Sequence, residues 1–215
     1  MRDLARKLME DPVEVNIAVS KPPEAIVQEA FVVYEKQKSP LVKYLLKRQD
    51  YTRVIVFCSR KQNVKSLTSD LKRARFSVEE IHSDLEQDVR EQVLQDFRNK
   101  KTKILVATDI LSRGIDIDEI ELVINYDVPN DGEDYIHRIG RTARAQSQGT
   151  AYTFISPMEQ RKFATIETLL EKEVEKAEVP AEFGEVPAYN PATSPKSDGK
   201  GKPFKNGKKF WKKKS

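Results

Sequence analysis

Between residues 31 and 155, short apolar runs alternate with longer polar stretches. The runs are FVVY (31–34), RVIVFC (53–58), FSVEEI (76–81), KILVAT (103–108), LVINYD (122–127) and TAYTFI (150–155). The intervening stretches carry apolar residues at helical spacing: Val64, Leu67 and Leu71 in one, and Val89, Val93, Leu94 and Phe97 in another. VIVF and ILVA have no polar face, as expected of strands covered on both sides. Strands alternating with helices predict an α/β fold of three layers, a parallel sheet with helices on both faces. Such a sheet presents its functional loops at the carboxyl ends of its strands. Two polar clusters fall there, HSDLEQ after FSVEEI and TDILSRGIDI after KILVA.

The chain ends differ from this pattern. Residues 1–24 hold a charged helical start, an extended piece and a Pro-Pro pair, and are expected to be a linker or the end of a preceding domain. Residues 25–178 form the expected domain. From about residue 179, prolines and small residues lead into a lysine-rich end, a composition that buries no core and predicts a disordered tail over 179–215. The overall charge of +4 is unevenly spread: residues 181–215 carry a net +6, which leaves −2 for the rest. Among the tail lysines stand Phe204, Phe210 and Trp211. Lysines neutralise phosphates and aromatic rings stack on unpaired bases, so Lys208, Lys209, Trp211 and Lys212 are candidate contacts to a single-stranded nucleic acid. The other reading of the tail is a solubilising end.

No run is long and apolar enough to span a membrane, and the amino terminus lacks the apolar core of a signal peptide. The single cysteine, Cys58, can form no internal disulfide and has no metal-ligand partners; a buried strand residue in a reducing, cytoplasmic compartment is expected. None of the eight glycines opens a GxxxxGK[ST] phosphate loop. YIHRIGRTARA (135–145), by contrast, sets Arg138, Arg141 and Arg144 three apart without an acid among them. Like charges at this spacing repel on a helix face, so the cluster is either bare to solvent or waiting for an anion. Arginine suits phosphate oxygens and can stabilise charge during phosphoryl transfer on a partner's nucleotide.

These segments together resemble the DEAD-box RNA helicases. YIHRIGRTARA resembles the family's HRIGRTGRA motif, and ATDILSRGIDI (107–117) resembles its ATDVAARGIDI motif. HSDLEQDVREQVLQDFR (82–98) is similar to HGDLxQxxRxxxLxxFR, VIVFCSRKQNVKSL (54–67) looks like a further motif with its helix, and VINYDVP (123–129) is another family segment. The resemblance covers roughly residues 25–175, and His137 favours this family over relatives that place Gln there. Ala143 and Ser83 depart from it, each standing where the family has glycine.

The resemblance implies the second, RecA-like lobe of an ATP-dependent RNA helicase, a monomer that closes over ATP and RNA held by a first lobe. Magnesium would belong to that missing lobe, and no metal ligand is expected here. Arg141 and Arg144 match catalytic arginines that reach the γ-phosphate, and Gly114 and Asp116 match nucleotide-contacting positions. His137 and Arg138 match interlobe positions. Arg60, Asp84, Gln87, Arg90 and Thr108 match RNA-contacting ones. The residues alone leave plainer roles open: Asp116 as a loop brace, Thr108 as a turn residue, and Asp84, Gln87 and Arg90 as a helix start with a surface pair. His82 reads as structural. The alternative function is a free-standing RecA-like module that binds RNA or protein without catalysis.

Overall fold

The computed structural model describes residues 25–109, 120–142 and 149–193. In chain order the elements are β1 (Ile26–Val32), α1 (Glu35–Arg48), β2 (Val54–Phe57), α2 (Lys61–Arg73), β3 (Val78–Ile81), α3 (Gln87–Arg98) and β4 (Ile104–Ala107). There follow β5 (Leu122–Asn125), α4 (Gly132–Ile139), β6 (Gly149–Ile155), α5 (Gln160–Leu170) and a two-residue strand β7 (Glu175–Lys176). The strands form one parallel sheet in the order β3-β4-β2-β5-β6-β1-β7.

Every residue of β2, β4 and β5 is buried, which explains why those runs lack a polar side. Alternate residues go to opposite faces. Val54 and Val56 join Val106 and Ile124 in a core roofed by Leu41, Leu45, Val64, Leu67 and Leu71 of α1 and α2. Ile55 and Phe57 face the other way, with Leu105, Val123 and Phe97 of α3. On that second face α4 and α5 bury Tyr135, Ile139, Phe163 and Ile166 against β1 and β6. The three-layer expectation is therefore met. The spacing of α3 was only partly informative: Phe97 is fully buried, Val93 and Leu94 are half-buried, and Val89 is exposed. α3 packs beside the edge strand β3 and needs only a narrow apolar line.

Two boundaries differ from expectation. β1 begins at Ile26, ahead of FVVY, and pairs with β6 along its whole length. The second difference is larger. Residues 180–193, expected in a disordered tail, lie as a strap over the first turns of α1 and α5. Gln37 Nε2 donates to the carbonyls of Phe183 and Glu185, each at 2.9 Å. Gln160 Nε2 donates to Ala188 O at 2.8 Å, and Gln160 Oε1 accepts from Asn190 N at 2.6 Å. Arg161 donates to Pro191 O (3.1 Å) and Ala192 O (2.7 Å). Phe183 meets Tyr44 edge-on at 5.6 Å, and Tyr189 Oη donates to Glu167 at 2.7 Å. Side chains of the lobe thus satisfy a proline-rich backbone that cannot join a ladder.

Candidate functional site

The described residues expected to contact RNA lie at or just beyond the carboxyl ends of three adjacent strands. Arg60 follows β2 and is exposed at the amino end of α2. Thr108 follows β4, where its N–H donates to Ile81 O at 3.2 Å, tying it to the end of β3. Asp84 follows β3, and its carboxylate takes hydrogen bonds from Lys61 (2.9 Å) and Lys65 (3.2 Å) on α2. Those two bonds hold the Asp84 carboxyl below its ordinary pKa. Gln87 and Arg90 form the helix-start pair that the residues alone allowed. Gln87 Oε1 accepts from Arg90 Nη1 at 3.1 Å, Gln87 Nε2 donates to Glu91 at 2.7 Å, and Arg90 Nη2 reaches Leu85 O at 3.3 Å. His82 is buried, and its Nδ1 accepts from Asp84 N at 3.2 Å, as a structural histidine does.

The arginine cluster divides. Arg138, expected to face another lobe, is fully buried within this one. Its Nε donates to Asp109 Oδ1 at 2.7 Å, and its Nη1 donates to Asp127 O at 3.0 Å and Asn125 Oδ1 at 3.3 Å. Its guanidinium lies 5.3 Å from the centre of the Phe57 ring. Arg138 thus clamps α4 to the ends of β2, β4 and β5. Asp131 caps α4 by accepting from Asp134 N at 2.8 Å, and the helix stops at Ile139. A Cβ on Gly140 would stand 2.9 Å from Ile136 O, so glycine lets the chain turn closely there. Arg141 then emerges half-buried, with Nε donating to His137 O at 3.1 Å, while the His137 side chain is exposed. Gly114, Asp116, Arg144, Lys208, Lys209, Trp211 and Lys212 lie outside the described residues.

A second buried network was not anticipated from the sequence. Lys38 of α1 is wholly buried and pairs with Asp127 (3.3 Å), Glu159 (3.1 Å) and Glu35 (3.0 Å). Burial alone would discharge it, but the three carboxylates outweigh burial and raise its pKa. Nothing in the spacing of α1 marks Lys38. The acid ending LVINYD was a visible signal for Asp127, which lies two residues past the end of a buried strand. Cys58 is buried just past β2, and burial pushes its thiol pKa well up. No group of His, Cys, Asp and Glu among the described residues could hold a metal ion, and none of their helices is long and apolar enough to cross a membrane.

Residues 37–146 match the helicase conserved C-terminal domain. The chain is 36% identical over 168 residues to the ATP-dependent RNA helicase FAL1 of Kluyveromyces lactis, covering 77% of this chain and 42% of that protein. It superimposes on a DEAD box protein from the hyperthermophile Methanococcus jannaschii with a TM-score of 0.65 at 35% identity, covering 82% of this chain and 48% of that one. A structure of S. cerevisiae Dbp5 bound to RNA and ADP BeF3 gives a TM-score of 0.71 at 28% identity, with the same two coverages. The chain spans less than half the length of these relatives. With its parallel RecA-like sheet and the matched residues 37–146, the chain belongs to the helicase conserved C-terminal domain family, as the second lobe of the DEAD-box kind.

Proposed function

We propose that this chain completes, rather than holds, an ATP site in an ATP-dependent RNA helicase. The first lobe would carry the phosphate loop and magnesium; this lobe brings arginines and RNA contacts when the two close. ATP hydrolysed between the lobes would drive local opening of short RNA duplexes. Arg141, joined by Arg144, places positive charge on the γ-phosphate only in the closed state, so its effect falls on the transition state rather than on ground-state binding. Asp116 and Gly114 would meet the nucleotide, His137 the other lobe, and Arg60, Asp84, Gln87, Arg90 and Thr108 the RNA strand. The residues fit part of such a site, with guanidinium groups for phosphate oxygens.

The observation that carries this reading is the Arg138–Asp109 clamp. It ties Asp109, next to Thr108, to the helix that leads into Arg141, as RNA and phosphate contacts that act together require. The proposal also draws on two similar proteins, one an ATP-dependent RNA helicase and one seen with RNA and ADP BeF3. The test is RNA-stimulated ATP turnover by this chain alone, then mixed with a separately made first lobe carrying a phosphate loop. The expected result is none alone and turnover on mixing, with Arg141→Ala lowering the recovered rate on the order of 10³-fold or more. Turnover by this chain alone, or an undiminished rate in the variant, would refute the division of roles.

A further inference from the structure

A polar cleft opens at the carboxyl ends of β1, β2, β5 and β6, between α1, α2 and α5. Its floor is acidic in composition but not in what it presents. The Asp127 carboxylate accepts from Ser59 N (2.8 Å), Asn63 Nδ2 (3.2 Å) and Lys38 Nζ (3.3 Å). Glu159 accepts from Val128 N (3.0 Å), Ser156 N (3.2 Å), Ser156 Oγ (2.7 Å) and Lys38 Nζ (3.1 Å). These two acids are thereby turned inward, onto backbone amides and one buried ammonium, while Glu35, the third acid of the lining, is exposed at the rim and paired with Lys38 at 3.0 Å.

The cations at the rim are placed differently. The Arg60 guanidinium is exposed and has no partner among the described residues. Lys162 of α5 is half-buried; its Nζ donates to Asn130 Oδ1 at 3.2 Å, and no carboxylate among the described residues lies within ion-pair distance of it. Burial lowers its pKa, with the charge of Glu159 opposing. An ammonium partly withdrawn from water without an acid beside it gains from an incoming anion. Its neighbour Arg161 is committed to the strap carbonyls, so the two adjacent cations of α5 have separate tasks.

We infer that Lys162, oriented by Asn130, contacts an RNA phosphate across this cleft from Arg60, carrying the strand's path onto a helix that none of the helicase motifs covers. The inference rests on the RNA-binding reading above. The cleft is open and polar, and it lies on the sheet edge that also bears Thr108. These features suit a phosphodiester backbone better than an enclosed small molecule.

The test measures binding of a fluorescein-labelled oligouridine to the full chain by anisotropy over a range of salt concentrations. Lys162→Gln is expected to weaken binding about three- to tenfold and to lower the salt slope by about 0.7, the amount for one phosphate on a single strand. Lys162→Arg should keep both values, and Lys172→Gln, an exposed charge beyond the far end of α5, should alter neither. If Arg60→Ala weakens binding while Lys162→Gln, shown folded by its melting curve, matches wild type, the Lys162 contact is overturned and the RNA reading stands. Weaker binding of Lys162→Gln at an unchanged slope also overturns the phosphate contact. Failure of the wild-type chain to bind RNA overturns both.

Discussion

Arg138 and Arg141 stand three residues apart and end in opposite settings. The sequence argument placed them on one face because three-residue spacing does so on a continuous helix. α4 stops at Ile139, however, and Gly140 turns the chain, so Arg138 points into the sheet while Arg141 leaves it. The spacing disclosed the cluster, but a helix end inside the cluster decided which arginine reaches the surface. Arg138's partners could not be read either, since Asp109 and Asn125 approach it only through the tertiary fold. Replacing Arg138 by Leu would remove the guanidinium that the partly buried Asp109, the buried Asn125 and the Asp127 carbonyl share. The expected loss is about 3–5 kcal/mol, as for breaking one side of a buried pair. Urea unfolding of this chain measures it. Unchanged stability would return Arg138 to the interlobe role that the sequence suggested.

The elements themselves were the most legible part. β2, β4 and β5 announced themselves because a strand covered on both faces has no polar side to obscure its apolar run. Sheet order was less accessible, because β1 begins the domain yet lies beside the last long strand, a pairing that no local pattern encodes. The strap was illegible for a related reason. Its backbone is held by Gln37, Gln160 and Arg161, polar residues in the first turns of distant helices, and its own composition resembles an unfolded linker. Only Phe183 and Tyr189 hinted at anchoring. The strap's hydrogen bonds, ring contacts and buried apolar area together offset the entropy lost in ordering it. Truncation after residue 179 is expected to lower stability by about 1–3 kcal/mol, whereas truncation after residue 193 leaves it unchanged. Thermal unfolding compares the two. Equal melting temperatures for both truncations would mean that the strap only rests on the lobe.

At the scale of the whole molecule, charge is separated along the chain rather than balanced within it. The lobe is slightly acidic, and Asp127 and Glu159 at the sheet's carboxyl edge are held inward by Lys38, Asn63 and backbone amides. The surplus of lysines lies beyond residue 193, eight of them between Lys200 and Lys214. Arg161 grips Pro191 and Ala192 beside the cleft that it also lines, so the chain is held at the candidate RNA-binding edge just ahead of the lysine-rich segment. A tether starting there raises the local concentration of any strand it holds without needing sequence preference. Deleting residues 194–215 keeps the strap and removes the lysines. RNA binding should then weaken, and its salt slope should fall by about 0.7 for each phosphate the tail had engaged. Because the strap stays in place, the melting temperature should not move. Identical slopes with and without the tail would reduce those lysines to a solubilising end. A slope that falls together with the Lys162→Gln effect, so that the two changes do not add, would mean that the tail and the cleft engage the same phosphates rather than successive ones.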